Sequence, residues 1–336
     1  MLPQSRCAVT PDTAGIAAAA QTLRSGGLVG LPTETVYGLA ALATDNSAVS
    51  RVFATKGRPA DHPLIVHIAD SDQLRDWVRD VPDYAMRLAA ELWPGPLTLI
   101  LPKQERVSAV LTGGQDTVGL RVPSHPVAQA VIAAAGPVAA PSANRFGRVS
   151  PTSAAAVAEE LSDVMTEQDL ILDGGTCAVG IESTIVDCTT ESPKVLRAGF
   201  YGDDVIAASA GVPLSTAVHA QGPRVPGSLA AHYAPRTPVR LLDASQVNAL
   251  ELSRLADAWL LVEAGEPIAP SLLHAAGRLT QPADANAYAQ VLYATLRGAD
   301  SARVTELLAV PPCGAGIAVA VRDRLQRAAV GSAAAE

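Results

Sequence analysis

Residues 31–68 read LPTETVYGLAALATDNSAVSRVFATKGRPADHPLIVHI, and this stretch decides the fold. An apolar segment ending at Pro32 predicts a strand, and a polar Thr-Glu-Thr turn follows it. Residues 46–56 predict a helix, with Asn46 able to cap its first turn and a glycine ending it. Residues 63–70 are apolar and branched, which is typical of a largely buried strand. Strand, helix and strand in this order indicate an α/β layer structure.

The same alternation continues on both sides of this stretch. An Ala-rich helix is predicted over residues 11–24, ahead of the first strand. Further strands are predicted over apolar, branched segments, namely 97–103, 117–124, 137–144, 169–175, 182–189 and 193–200. Helices are predicted over residues 125–136 and 150–162. The first two-thirds of the chain is therefore predicted to be an α/β domain around a mixed sheet.

The last third of the chain is predicted to be a smaller, separate domain. Residues 211–237 contain four prolines and three glycines without a clear period, which is typical of a linker or lid. We therefore predict a catalytic domain over 1–210, this linker, and a Rossmann-like α/β domain over 238–336. Gly314 and Gly316 match part of a dinucleotide-binding fingerprint, but a glycine turn that lets a helix pack closely explains them as well.

The composition bounds the class of protein. With 25 basic and 33 acidic residues, the net charge of -8 argues against a broad electrostatic footprint for nucleic acid. The four cysteines have no C-x-x-C spacing, so we expect isolated core residues rather than a zinc site or a disulfide framework. No apolar run approaches the ~20 residues that span a bilayer, and the start MLPQSRCAVTPD has no apolar signal segment. We expect a cytoplasmic protein without a bound metal of its own.

Two polar stretches carry the candidate chemistry. Lys56 and Arg58 lie in a K-G-R-P junction between helix and loop, where the arginine can grip phosphate oxygens as a fork and the lysine as a point charge. Either residue alone would more often be solvated. In APSANRFGRVSPTS, Ser142 and Asn144 follow a strand, and Ser150 precedes a helix start, where backbone amides attract anions. The structural alternative is a capped helix flanked by solvated arginines.

The two stretches together form a K-x-R…S-x-N signature, and with it the chain resembles the YrdC-domain family. Further motifs follow in order: T-V-G-L-R-V-P from Thr117, E-S-T-I-V-D from Glu182, V-L-R-A-G from Val195 and H-Y-A-P from His232. They extend over most of the chain, and the added C-terminal β/α domain resembles that of the long, two-domain L-threonylcarbamoyladenylate synthases. The resemblance implies an N-terminal YrdC-like domain with a twisted mixed sheet and an open cleft.

The resemblance also implies the site residues. It implies an L-threonine pocket of Thr35, His67, Arg121, Ala140 and Ser183. It implies an ATP site of Lys56, Arg58, His62, Thr117, Ser142, Asn144, Ser150, Arg197 and Tyr233, with Lys56 and Arg58 as catalytic residues. Arginine forks suit carboxylate and phosphate oxygens, so the physical chemistry agrees for the charged members. For the uncharged strand residues of this set, the sequence alone favours satisfied structural positions.

The implied reaction joins L-threonine, bicarbonate and ATP into threonylcarbamoyl-AMP and pyrophosphate, for the modification of position 37 in tRNAs that read ANN codons. Such a reaction needs two anions to be aligned and phosphate charge to be neutralised, which fits a site of lysines, arginines and hydroxyls without a covalent nucleophile. Mg²⁺ is expected to arrive with ATP and to touch Glu34 or Glu182 only indirectly. The product is expected to pass to the threonylcarbamoyl transferase complex.

The chain departs from this pattern at two places, and two other functions compete. His62 replaces an Asn of many relatives, and residues 227–231 lack the basic and aromatic residues that often precede H-Y-A-P. An RNA-binding module is the main alternative, although net acidity and the lack of interleaved aromatics count against it. A carbamoyltransferase of the hydrogenase-maturation type would need paired cysteine zinc motifs that the sequence lacks.

Overall fold

The computed structural model describes residues 8–216, 222–227, 230–302 and 304–333. Cys7 and parts of the predicted linker lie outside the described residues. The chain divides into two compact units. Unit 1 comprises Met1–Phe146, Ser150–Ala178 and Glu182–Ser228, and unit 2 comprises Gly147–Val149, Val179–Ile181 and Leu229–Glu336.

Unit 1 is an α/β structure built on one large sheet. Its strands are β1 (Val29–Leu31), β2 (Gly38–Leu42), β3 (Ile65–His67), β4 (Leu97–Pro102), β5 (Thr117–Arg121), β6 (Val138–Ala139), β7 (Leu170–Ile171), β8 (Thr184–Asp187) and β9 (Lys194–Arg197). Its helices are α1 (Thr13–Arg24), α2 (Asn46–Lys56), α3 (Leu74–Trp77), α4 (Asp83–Leu92), α5 (Ala109–Thr112), α6 (Pro126–Ala135), α7 (Ala154–Leu161) and α8 (Asp203–Ala210).

The nine described strands run in the order β7-β1-β2-β6-β3-β5-β4-β8-β9. Strand β3 pairs in parallel with β5, which places His67 opposite Arg121, and β4 pairs in parallel with β8. Strands β2 and β6 are antiparallel to their neighbours, so the predicted mixed sheet is confirmed. Each segment predicted to be a strand in this unit contains an observed strand.

Strand β2 was not expected, because its sequence GLAAL contains no β-branched residue and alanine favours helices. Its extended form comes from pairing with β1 on one side and β6 on the other. Gly38 matters here, because a Cβ at this position would lie 3.0 Å from the Cβ of Ala140. The missing side chain lets the 140–144 segment run close beside β2.

The start of α2 corrects a second expectation. Asp45, not Asn46, is the N-cap, and its Oδ1 accepts from the amides of Ser47 (2.8 Å) and Ala48 (3.1 Å). Asn46 is already helical, so its side chain is one position too late to reach those donors. The helix ends at Gly57, whose φ of 61° is left-handed, and this turn leads the chain into Arg58.

A buried aspartate joins the α2 side of unit 1 to its edge strands. Asp169 is 4% exposed and accepts from the Leu28 amide at 2.7 Å. It also accepts two hydrogen bonds from Nη2 of Arg51, at 2.8 and 2.9 Å. Charge-assisted bonds of this kind fix β1 and α2 relative to one another, and with them the turn between β1 and β2.

Unit 2 carries a smaller parallel sheet in the order β10-β13-β11-β12. Its strands are β10 (Val239–Leu241), β11 (Ala258–Leu261), β12 (Arg278–Thr280) and β13 (Glu306–Ala309). Its helices are α9 (Ala244–Asn248), α10 (Leu252–Ala256), α11 (Pro270–Ala275), α12 (Ala285–Ala302) and α13 (Ile317–Ala333). The predicted Rossmann-like β/α alternation is observed, and the Trp259 indole donates to Thr280 Oγ1 at 2.9 Å.

The cysteines agree with prediction in part. Cys177 and Cys188 are free and buried, whereas Cys313 is free but exposed, because it lies in the glycine turn between β13 and α13. Within the described residues, His, Cys, Asp and Glu side chains nowhere form a group of three or more suited to a metal ion. None of the described helices combines the length and the hydropathy that crossing a membrane requires.

Candidate active site

Arg121, the last residue of β5, forms the centre of the first cluster. It is 4% exposed, and its Nη1 donates to Thr35 Oγ1 at 2.9 Å. Its Nε donates to the Gly95 carbonyl at 3.3 Å, in the same turn where the Trp93 indole donates to Leu97 O at 2.7 Å. Its Nη2 lies 2.7 Å from Glu34 Oε1. Thr35 and Arg121, predicted from the resemblance to act together, are therefore in direct contact.

The electrostatics of this cluster are set by burial and by the Arg121 charge. Burial alone would raise the pKa of Glu34, but the positive charge and hydrogen bonding of Arg121 outweigh it and lower the pKa. Burial, and then Arg121, lower the pKa of His67 to about 3. At neutral pH the cluster therefore contains an ionised Arg121, an ionised Glu34 and a neutral His67.

Ser183 lies beside this cluster, just before β8. Its Oγ is 2.8 Å from Thr98 Oγ1 and accepts from Arg197 Nη2 at 3.1 Å. Arg197 also donates to the Ser183 carbonyl, at 3.2 Å from Nε and 2.9 Å from Nη2, and to the Pro226 carbonyl at 3.1 Å from Nη1. Most donors of the Arg197 guanidinium thus bond to backbone carbonyls, so Arg197 holds the Ser183 and Pro226 segments together.

Lys56 is buried rather than solvated, and it holds the loop that contains Ser142 and Asn144. It is 3% exposed, and its Nζ donates to the carbonyl of Ser142 at 2.5 Å and to the carbonyl of Asn144. Burial, and then the nearby Arg58, lower its pKa well below the usual value. The lysine and the two members of S-x-N therefore form one structural unit, which the sequence signature alone did not indicate.

Arg58 and His62 share an aromatic neighbour. The Arg58 guanidinium lies 5.9 Å from the ring centre of Phe146, and its Nη2 donates to Pro63 O at 3.0 Å. The His62 ring meets the same Phe146 edge-on at 5.4 Å. Burial, and then Arg58, lower the pKa of His62, so this imidazole is neutral at neutral pH.

The remaining residues of the predicted ATP site lie on adjoining segments. Ser142 forms a bridge with Gly38, and the Ala140 amide donates to Ile65 O at 3.2 Å, so this segment lies between β2 and β3. Ser150 is buried and donates to Glu182 Oε1 at 2.8 Å. The cap of α7 is instead Ser153, so Ser150 is not the helix-capping residue of the structural alternative.

Strand β5 begins and ends with residues that are predicted to belong to the site. Thr117 and Arg121 point to the same face of the sheet, as does Gly119 between them, because side chains alternate along a strand. A Cβ on Gly119 would lie 3.0 Å from Ile100 Cδ1. The absence of a side chain at Gly119 leaves room for the side chain of Ile100 on this face.

Part of the predicted linker lies on this face of unit 1. Val225 packs with Ile100 and Ile185 in a small apolar cluster. Arg224 donates to the carbonyls of Gly113 (2.9 Å) and Asp61 (3.3 Å). The described residues 222–227 are therefore attached to unit 1 by the Arg224 hydrogen bonds and by the packing of Val225.

Tyr233, which the resemblance predicts to bind ATP, is a buried residue of unit 2. It is 1% exposed and lies within unit 2, where its ring stacks on Tyr293 at 5.5 Å and lies beneath the Arg324 guanidinium at 5.3 Å. Its φ of 59° is left-handed, which is unusual for a residue with a Cβ. The predicted contact of Tyr233 with ATP stays a prediction.

Sequence reasoning did not find the contact of Glu34 with Arg121 or that of Thr98 with Ser183. The signal for Glu34 was its place between two threonines in a strand-end turn, where Thr33 Oγ1 accepts from the amides of Thr35 and Val36. This turn holds the carboxylate inward, toward β5. The partner lies 87 positions further along the chain, so only the sheet brings the two together.

The neutrality of His67 predicts a pH dependence of stability. Its pKa falls from 6.5 to about 3 on folding, so the unfolded chain binds a proton that the folded chain does not. The free energy of unfolding should have its highest value above pH 6.5, where His67 is neutral in both states. It should fall by up to about 1.4 kcal/mol per pH unit as the pH drops from 6.5 toward 3. Chemical denaturation of the wild type and of His67→Asn at several pH values measures this slope.

The His67→Asn protein should lose that part of the slope. Parallel curves for His67→Asn and the wild type would show that His67 is protonated in the folded protein.

Two family models match the chain. The Sua5/YciO/YrdC model, described as Telomere recombination, matches residues 21–199, and a second model, described as Threonylcarbamoyl-AMP synthase, C-terminal domain, matches residues 193–330. The chain is 46% identical over 230 residues to the Threonylcarbamoyl-AMP synthase of Pyrococcus abyssi, which is 67% of each protein. It is 38% identical over 328 residues to that of Bacillus subtilis, covering 94% of this chain and 93% of the relative.

Solved structures give the same answer. P. abyssi Sua5 complexed with L-threonine superposes with a TM-score of 0.83 at 36% identity, over 95% of both chains. A variant of that protein with one His and one Tyr replaced by Ala superposes with a TM-score of 0.84 at 34% identity, over 97% of both chains. With one family model covering more than half of its length and relatives matched nearly end to end, the chain belongs to the Sua5/YciO/YrdC family, in the long form that also carries the Sua5 C-terminal domain.

Proposed function

We propose that the chain is an L-threonylcarbamoyladenylate synthase, which converts L-threonine, bicarbonate and ATP into threonylcarbamoyl-AMP and pyrophosphate. The observation that carries the proposal is the buried cluster of Arg121, Thr35 and Glu34 at the end of β5. A buried guanidinium with a hydroxyl beside it suits the carboxylate of a small amino acid. The related P. abyssi Sua5 has been solved with L-threonine, which supports the same substrate here.

In this proposal the threonine pocket consists of Thr35, His67, Arg121, Ala140 and Ser183. A neutral His67 can donate or accept one hydrogen bond without adding charge, which suits a hydroxyl better than a carboxylate. Ala140 is 8% exposed and offers the apolar contact that the threonine methyl group needs. Losing that methyl group in serine should cost about 1–3 kcal/mol of specificity.

The ATP site is proposed to be formed by Arg58, His62, Thr117, Ser142, Asn144, Ser150 and Arg197. Arg58 is the cation we expect to meet the phosphates, because its fork lies on the K-G-R-P loop next to His62. Lys56 donates to the carbonyls of Ser142 and Asn144, and Arg197 donates to those of Ser183 and Pro226, so we propose that each also positions the segment it holds. Tyr233 is proposed to complete this site, as the resemblance implies.

The chemistry requires alignment more than it requires a nucleophilic residue. The threonine ammonium group and bicarbonate condense to a carbamate, with release of one water and of one proton to solvent. A carbamate oxygen then attacks the α-phosphorus of ATP while pyrophosphate leaves. Arginine forks and backbone amides can hold the two anions together and stabilise charge on the phosphate oxygens. Mg²⁺ is proposed to come bound to the ATP phosphates and to retain several waters, because Glu34 already pairs its charge with Arg121 and Glu182 accepts a hydrogen bond from Ser150.

The wider assignment follows from the product. Threonylcarbamoyl-AMP is a labile mixed anhydride, so we propose that it is handed to the threonylcarbamoyl transferase complex that modifies position 37 of tRNAs reading ANN codons. Because the proposed reaction uses ATP and serves tRNA modification, we propose that it takes place in the cytoplasm.

The decisive experiment is pyrophosphate release by the full chain with ATP, Mg²⁺ and amino acids supplied singly. Release should require L-threonine and bicarbonate together, because the nucleophile is their adduct, and mass spectrometry should detect threonylcarbamoyl-AMP. The kcat/KM for serine should be lower than that for threonine by roughly tenfold or more, because serine lacks the methyl contact. Equal release after rigorous removal of bicarbonate would refute the mechanism.

A further inference from the structure

Glu34 has acceptor capacity that its protein partners do not use. Its side chain is more than nine-tenths buried, and Oε1 lies 2.7 Å from Arg121 Nη2. Neither Oε1 nor Oε2 has a partner that meets both the distance and the angle of a full hydrogen bond among the described residues, although Arg121 and the backbone amides of Glu34 and Ser124 lie close enough to lower the pKa of Glu34. A carboxylate can accept about four hydrogen bonds, and leaving a buried one short of partners is costly. Such a group is expected to meet a donor that arrives with a ligand.

The surroundings of Glu34 leave it as one half of an isolated charge pair. Four further ionisable groups interact with it, and each is neutral at neutral pH. Burial chiefly lowers the pKa values of His67 and His125, and burial chiefly raises those of Cys177 and Tyr201. The cluster therefore presents one positive charge, on Arg121, directly beside one negative charge, on Glu34.

We propose that Glu34 is a substrate-binding residue that accepts a hydrogen bond from the α-amino nitrogen of L-threonine while Arg121 binds the carboxylate of the same molecule. The inference deepens the proposed function and rests on it. An α-amino acid carries its amine on the carbon next to its carboxylate, so its two charges are adjacent, like those of Glu34 and Arg121. The pair is thus complementary to a zwitterion, whereas Arg121 alone would accept any small carboxylate.

The same contact can persist through the reaction. When the ammonium group becomes a carbamate, two of its protons leave, one in the water formed from bicarbonate and one to solvent, and the remaining N–H can still donate to Glu34. The carboxylate of Glu34 therefore does not need to take up a proton, and its lowered pKa suits a fixed acceptor. A 3-hydroxy acid without the amine would leave Glu34 unpaired in the complex, and a site with an unpaired buried group rejects such an analogue.

The test compares two ligands that differ only in the amine. Calorimetric titration of the full chain measures Kd for L-threonine and for (R)-3-hydroxybutyrate, in the wild type and in Glu34→Gln. The wild type should prefer threonine strongly. Glu34→Gln should weaken threonine about 10- to 100-fold, since a hydrogen bond to a charged group is lost. Binding of (R)-3-hydroxybutyrate should hold or strengthen, because Arg121 no longer shares its charge.

Each outcome separates one account from another. Equal weakening of both ligands would mean that Glu34 only orients Arg121, and an unchanged threonine Kd would mean that it makes no contact; either result overturns the inference. A wild type that binds no threonine would instead overturn the proposed function. Asp187→Asn is the matched control, because Asp187 is a buried carboxylate of β8 that bonds only locally to Thr189 in the described contacts, and it should change neither Kd.

A second variant keeps the test open if Glu34→Gln does not fold. Glu34→Asp retains the negative charge beside Arg121 but shortens the reach of the carboxylate. It should weaken threonine more than (R)-3-hydroxybutyrate, with a melting temperature near that of the wild type. If the two ligands weaken equally in this folded variant, Glu34 has no amine contact.

Discussion

Replacing Arg121 by Met is expected to reduce threonine-dependent pyrophosphate release strongly and to lower the free energy of unfolding by about 3–5 kcal/mol. The loss of stability arises because the variant leaves Glu34 buried without its cation. The loss of activity arises because the substrate carboxylate loses its fork, which should reduce kcat/KM for L-threonine at least roughly thirtyfold. Urea denaturation and the pyrophosphate assay measure the two effects separately.

The double variant Arg121→Met with Glu34→Gln separates structure from binding. It removes both charges, so it should recover much of the stability that the single variant loses, since an uncharged pair of similar volume is often tolerated in place of a buried ion pair. It should not recover activity, because neither end of the amino acid then has its partner. A single variant as stable as the wild type would mean that Glu34 finds another partner or takes up a proton without cost.

Replacing Lys56 by Met should lower both the melting temperature and the turnover. Methionine keeps the length and apolar stem of lysine but leaves the carbonyls of Ser142 and Asn144 without their donor. Each buried carbonyl left unsatisfied costs about 1–3 kcal/mol. Because the same loop carries two residues of the proposed ATP site, the KM for ATP should rise as the loop relaxes. Thermal denaturation with ATP titration of the assay tests both parts.

Lys103→Met is the matched control for Lys56. Lys103 also donates its Nζ to a backbone carbonyl, that of Val107 at 2.8 Å, but it is only partly buried and lies outside the proposed site. It should cost less stability and leave the KM for ATP unchanged. If Lys56→Met lost all activity with an unchanged melting temperature, Lys56 would be acting on the phosphates directly, as the K-x-R signature first suggested.

The comparison between sequence and structure is informative at particular residues. Branched apolar segments such as 97–103 were predicted as strands because their own pattern suffices. Strand β2 was missed because its alanines become extended only through two neighbouring strands. The helix cap moved from Asn46 to Asp45 because cap geometry depends on which residue first leaves the helix, which periodicity does not resolve.

In the candidate site too, the sequence predicted which residues are present but not which distant residues they contact. The resemblance supplied the residues, and contacts bring Thr35 to Arg121 and Lys56 to the 142–144 loop. What the residues do there could not be predicted, because it depends on partners far along the chain. Lys56 and Arg197 carry the expected charge but direct it at carbonyls, and the burial of Tyr233 in unit 2 follows from ring packing that no motif encodes.

The three tryptophans give the chain a built-in optical readout. Trp77 and Trp93 lie in unit 1, and Trp259 lies in unit 2. The Trp93 indole is bonded inside the very turn whose Gly95 carbonyl holds Arg121. The emission maximum or the fluorescence intensity of Trp93 should therefore change when an amino acid binds to Arg121. The emission of Trp259, which lies in unit 2, should stay constant. Replacing Trp77 and Trp259 by Phe would leave a dye-free sensor for threonine, readable in a stopped-flow instrument before any nucleotide is added.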